Sequence, residues 1–152
     1  MRNHRKGFTL IELVIVCAVI AILSAIAYGY MSQQLMLAHE TAAFAEIKTI
    51  NTAEAQYFAQ FGRYAASLAS LGPSGDRTMG PEAAGLIPES LASGKKSGYL
   101  VEVGVTSGGY AVTAVPEKFG SSGRRSFYSD QTLVIRTSWT AEPAHASSAA
   151  IE

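Results

Sequence analysis

Residues 6–30 read KGFTLIELVIVCAVIAILSAIAYGY. From Phe8 to Ala27 this stretch holds 20 residues whose only charge is Glu12. A helix of that length rises about 30 Å, the thickness of a bilayer's hydrocarbon core, so the run is long and apolar enough to span one. Glu12 is the anomaly. An ionised carboxylate at the bilayer centre costs roughly 2.5–3.5 kcal/mol, less toward the interface, and an acid inside such a run marks a site with a partner. No Lys, Arg or His lies between Gly7 and Met36, so a cationic partner must come from outside the segment or be made by processing.

The flanks set the orientation. Arg2, Arg5 and Lys6 precede the run and hold that end in the cytoplasm by the positive-inside rule, which exports the segment after Tyr30. Outside this leader, nine Lys and Arg face twelve Asp and Glu, a net of −3, which argues against a nucleic-acid surface. The one cysteine, Cys17, lies inside the apolar run, so packing and no intrachain disulfide must hold the exported part. A cleaved secretory signal ending at Ala25–Ala27 fits poorly, because the apolar stretch is too long and Glu12 interrupts it. A lipid anchor on Cys17 fits worse, since the β-branched Val16 stands where a small residue is needed. Cys17 reads as a small apolar helix residue.

Beyond Tyr30 the chain to Phe61 has no Pro or Gly and is rich in Ala, Leu, Glu and Gln, so the helix should continue as an amphipathic one. A 100° wheel puts Met36, Ala43, Phe44, Ile47, Ile50, Tyr57, Phe58 and Phe61 on one side and Glu46, Lys48, Thr49, Gln56 and Gln60 on the other. Glu54 projects within the apolar side, where it reads as a rim carboxylate pairing with Arg63 or a backbone N–H. Residues 62–98 hold seven Gly and Pro73, Pro81 and Pro88, a connection with short helical pieces around Ala65–Leu71 and Pro88–Ala92. GYLVEVGV, GYAVTAVP, RSFYSD and TLVIRTSW then read as strands, with TSGG joining the first two as a hairpin. The expected fold is α+β: a long N-terminal helix, membrane-spanning over 8–30 and amphipathic over 31–61, packed on a three- to four-stranded antiparallel sheet over 99–137. Residues 138–152 have little to bury and read as a mobile tail.

KGFTLIELVIVCAVIAIL resembles the leader and first helix of type IV pilins and of the related type II secretion pseudopilins. The resemblance implies that residues 1–7 are a basic leader, that a prepilin peptidase cuts between Gly7 and Phe8, and that the new N-terminus at Phe8 is methylated. Thr9 then follows the terminus and Glu12 lies four residues after Phe8, the family's spacing for its acid. Cleavage supplies the missing cation, since an α-ammonium at Phe8 is the one opposite charge in an apolar setting. Glu12 of one subunit pairing the terminus of the next would set filament register, as a buried polar pair does in a coiled coil.

AQYFAQFGRYAASLASLG and GYAVTAVPEKFGSSGRRSFYSD also look like stretches of the pseudopilin and minimal-pilin branch, and the helix-plus-small-sheet layout resembles the pilin fold. The C-terminal cysteine pair of larger pilins is absent. Gly29 stands where many pilins have proline 21 residues after the mature terminus, which leaves a bend near Tyr28–Tyr30 open. The implied function is a non-enzymatic subunit held in the bacterial inner membrane with its head outside the cytoplasm, then assembled into a pilus. Implied partners are other pilin subunits, the peptidase and methyltransferase, and an assembly platform with its ATPase. A periplasmic type II pseudopilus subunit is the alternative, and a signal-anchored binding module that never polymerises is the alternative from another class.

Other chemistry is thinly marked. His4, His39 and His145 are isolated, no His, Cys and Asp set has metal spacing, and no cofactor is expected. Asp130, with Ser129 and nearby carbonyls, is the candidate calcium ligand, although one carboxylate makes a poor hard-cation site. Lys118, Arg124 and Arg125 form a local basic turn, too small a set on an acidic head to read as a DNA contact.

Overall fold

The computed structural model describes residues 8–75 and 79–151. The chain divides after Gln34 into two units, taken in turn below. One helix, α1, runs Leu10–Phe61 over 52 residues, so Gly29 does not interrupt it. It is the one described helix long and apolar enough to cross a membrane.

In the first unit the side chains from Phe8 to Ile26 are all exposed, the apolar ones included. Among the described residues nothing covers them. The hydroxyl of Ser24 donates to the Ile20 carbonyl at 2.8 Å, which satisfies a polar group that lipid would leave without a partner.

In the second unit α1 buries Met36, Glu40, Ala43, Ile47, Ile50, Glu54 and Tyr57, spaced alternately three and four residues apart along one stripe. The stripe lies on an antiparallel sheet of six strands: β1 (Lys95–Lys96), β2 (Tyr99–Thr106), β3 (Gly109–Pro116), β4 (Ser126–Asp130), β5 (Arg136–Ser138) and β6 (Ala149–Ala150). Their order in space is their order in sequence. The β2–β3 register pairs Val101 with Ala114 and Val103 with Val112, and closes at Thr106 and Gly109 across the expected hairpin. Tyr99, Val101, Tyr110, Val112, Ala114 and Phe127 supply the buried face. Burying each large apolar side chain contributes about 1.5–3 kcal/mol, so this face and the helical stripe carry most of the unit's stability.

The α+β expectation holds, but the sheet has six strands and not three or four. The additional ones are β1 and β6. Strand β1 forms because Ser97 and Gly98, at φ +50° and +72°, reverse the chain so that Lys95 and Lys96 pair with Leu100 and Tyr99. Strand β6 lies in the stretch read as a mobile tail. It pairs with β5, Arg136 Nη1 donates to the Ser148 carbonyl, Ile151 N to the Ile135 carbonyl, and Ala144 is buried.

The connection begins at Gly62, whose φ of +69° ends α1. It contains two short helices, α2 (Leu68–Leu71), capped by Ser67, and α3 (Glu89–Ala92), which follows Pro88. Gly72 admits the close approach of α3, because a Cβ there would lie 2.6 Å from that of Ala92.

Candidate functional site

Thr9 precedes the first helical residue and folds over its neighbour three positions on. Thr9 N and Oγ1 both donate to Glu12 Oε2, at 2.9 and 2.7 Å, while Glu12 N donates to Thr9 Oγ1 at 3.3 Å. This is a reciprocal capping box, in which two of the helix's otherwise unpaired N–H groups find partners. Its signature, T-x-x-E before an apolar run, is present in the sequence as TLIE, yet reading Glu12 only for a distant cation overlooks it. Capping accounts for a polar side chain at this position but not for its charge, because glutamine would cap as well. Phe8 is exposed; Gly7 lies outside the described residues.

The head holds three more acids on α1, and they are buried. Glu40 accepts from Arg124 N at 2.8 Å and from Arg125 Nε at 2.7 Å. Glu46, placed by the wheel on the solvent side, is buried instead: Ser97 Oγ donates to it at 3.1 Å and Lys96 Nζ lies 3.9 Å away, both from the β1–β2 turn. Glu54 is wholly buried rather than at a rim. Of the two partners expected, Arg63 and a backbone N–H, it takes the second, Ala65 N at 3.0 Å. Among the described residues one oxygen of Glu46 and one of Glu54 find no hydrogen-bond partner. Loss of solvation pushes both carboxyls above their ordinary range, partly opposed by Ser97 and Lys96 for Glu46 and by Ala65 N–H for Glu54.

Asn51 extends this polar set, donating to Ser129 Oγ at 2.9 Å and accepting from Tyr110 Oη at 2.9 Å. Ser129 in turn donates to the Val134 carbonyl, so its hydroxyl belongs to the core. Asp130 Oδ1 accepts from Thr132 N and Oγ1 at 2.9 and 2.6 Å, the bonding of a turn aspartate. Among the described residues no three His, Cys, Asp or Glu side chains gather as a metal site. A surface cleft of about 280 Å³ is lined by Tyr57, Arg63, Tyr64, Ser70 and Glu82 among others; Glu54 is not on its wall. Of the basic turn, Arg125 is taken up by Glu40 and the ring of Trp139, which its guanidinium faces at 4.9 Å.

An exposed helix long and apolar enough to cross a membrane, capped by its own acid, fits membrane anchoring. Residues 2–28 match the model of the prokaryotic N-terminal methylation motif, the prepilin-type cleavage and methylation signal of type IV pilins and pseudopilins. No curated protein and no solved structure matches the chain significantly. The motif implies processing by a prepilin peptidase and assembly with other pilin subunits, and the apolar helix fits membrane anchoring.

Proposed function

We propose that this chain is a structural subunit of a type IV pilus. It is held in the inner membrane by residues 8–30, cut after Gly7, N-methylated at Phe8 and polymerised through its N-terminal helix. The observation that carries this reading is the motif match over a stretch whose apolar side chains, among the described residues, are left exposed. Among the described residues only Thr9 binds the Glu12 carboxylate, which leaves Oε1 available to the new α-ammonium of Phe8 in a neighbouring subunit. Transfer from lipid to a filament exchanges one apolar contact for another, so an ATP-driven platform must supply the work of extraction. Intact-mass analysis of the native protein is expected to show loss of residues 1–7 and one methyl group on Phe8. A chain that starts at Tyr28, or retains Met1, would refute the reading.

A type II secretion pseudopilin would use the same motif and the same helix. Location of the assembled polymer decides between the two: sheared surface filaments support the pilus, and a polymer confined to the periplasm supports the pseudopilus. A signal-anchored module would appear in neither fraction.

A further inference from the structure

The head grips α1 over His39–Glu46 with two segments, the turn Lys95–Gly98 and the loop Glu117–Arg125. His39 Nδ1 lies 3.1 Å from the Ser122 carbonyl, Glu40 takes Arg124 N and Arg125, Glu46 takes Ser97 and Lys96, and Lys95 pairs with Glu117 at 2.6 Å. These segments bring five cations together against the three acids Glu40, Glu46 and Glu117, a local net of +2 on an acidic head. Among the described residues the side chains of Lys118 and Arg124 have no acidic partner, and both are exposed. Between them sits Phe119, 46 % exposed in a closed turn that Gly120 N makes to the Gly123 carbonyl at 2.8 Å. An outward aromatic flanked by unpaired cations is the composition of a surface that enters a membrane interface.

We propose that the loop Glu117–Arg125 is a membrane-surface anchor: Phe119 enters the interfacial layer while Lys118 and Arg124 lie on anionic phospholipid headgroups. The inference rests on the reading that residues 8–30 span a membrane. Only eight residues lie between Tyr30 and His39, so the chain tethers the loop near headgroups and raises its effective concentration there. Each Lys or Arg near an anionic surface favours binding by about fivefold, and the effect decays within a Debye length of about 8 Å at physiological salt. Nucleic acid would use the two cations but offers an exposed phenyl ring no apolar layer. The anchor would hold the stored subunit's head on the membrane and let go when the helix is drawn out.

The test is backbone hydrogen exchange of the full chain in nanodiscs of phosphatidylcholine alone or mixed with phosphatidylglycerol. Amides of 119–124 are expected to exchange at least about fivefold more slowly in the anionic discs, an effect that high salt removes. The double variant Lys118→Gln/Arg124→Gln should lose the difference between discs, and Phe119→Ser should lose the protection that remains in neutral ones. Amides of Val101 and Val112 report that each variant is folded. Equal exchange in both discs, or a difference that survives in the double variant, overturns the anchor while leaving the membrane span intact. A chain that does not enter nanodiscs overturns both, and protection by added duplex DNA but not by phosphatidylglycerol assigns the loop to nucleic acid instead.

Discussion

The two halves of α1 carry acids under opposite conditions. After Leu35 the helix holds Glu40, Glu46 and Glu54 inside the head, each with at least one partner drawn from another part of the unit. Before Gln34 it holds Glu12 alone, bonded among the described residues only to Thr9 and surrounded by exposed apolar side chains. The head buries its apolar stripe and gives each of these three acids a partner within one chain. The N-terminal half is exposed from Phe8 to Ile26, and under the proposed function lipid or other helices would complete its surface.

The sharpest way to break this contrast is Glu12→Gln. Glutamine keeps the capping box with Thr9 and removes the charge, so cleavage after Gly7 should persist. Leaving one member of a buried ion pair alone costs on the order of 3–5 kcal/mol, enough to stop addition to a filament. The variant should be processed, accumulate in the membrane and be absent from sheared filaments. Wild-type amounts of filament would make Glu12 a cap and nothing more.

The matching test inside the head is Arg125→Met, which strands the buried Glu40 with one backbone N–H. Arg125 is a quarter exposed, so water offsets part of the loss and about 1–3 kcal/mol is expected. It is read as an earlier denaturation midpoint in a soluble fragment beginning at Leu35, and an unchanged midpoint would show that Glu40 is not held as a charged pair.

A smaller effect is expected from Glu54, through pH. Its carboxyl is raised by burial, so its contribution to stability is full below the unfolded value, about 4.3, and fades as pH rises through the higher folded value. The fragment should therefore lose stability from that acid range toward neutrality, and Glu54→Gln should flatten the loss. If the two proteins show the same pH profile, Glu54 is ionised in the fold and another group must answer its free oxygen.

These acids also mark where sequence reading stops. The stripe through Met36, Ala43, Ile47, Ile50 and Tyr57 follows from helical periodicity, and the strands β2 to β4 follow from their β-branched and aromatic alternation. Glu46 does not, because the wheel puts it on the outward side, and its partners Lys96 and Ser97 lie some fifty residues away. Phe58, which the wheel places inward, is 46 % exposed and stacks on Tyr64 rather than entering the core. Strands β1 and β6 are two residues each, Lys-Lys and Ala-Ala, with no β-forming side chains to announce them; turn geometry and the Arg136 bond to Ser148 make them. At the N-terminus the residues were all in view, and TLIE carried two meanings of which the cap was the nearer.

The grip at His39–Glu46 has a mechanical consequence. If the chain polymerises as proposed, tension would reach the head through α1, whose grip begins near the end where Glu40 is held by Arg124 and Arg125. Hydrogen bonds and ion pairs act over short distances, so they resist stiffly and then break at once, whereas the apolar stripe behind them yields gradually as surface is exposed. Polar contacts at the loaded end and apolar ones beyond it make a joint that is rigid under small forces and tough under large ones. Arg125→Met should soften it, lowering the first rupture force in single-molecule pulling while leaving the later, sliding resistance of Ile47, Ile50 and Tyr57 unchanged.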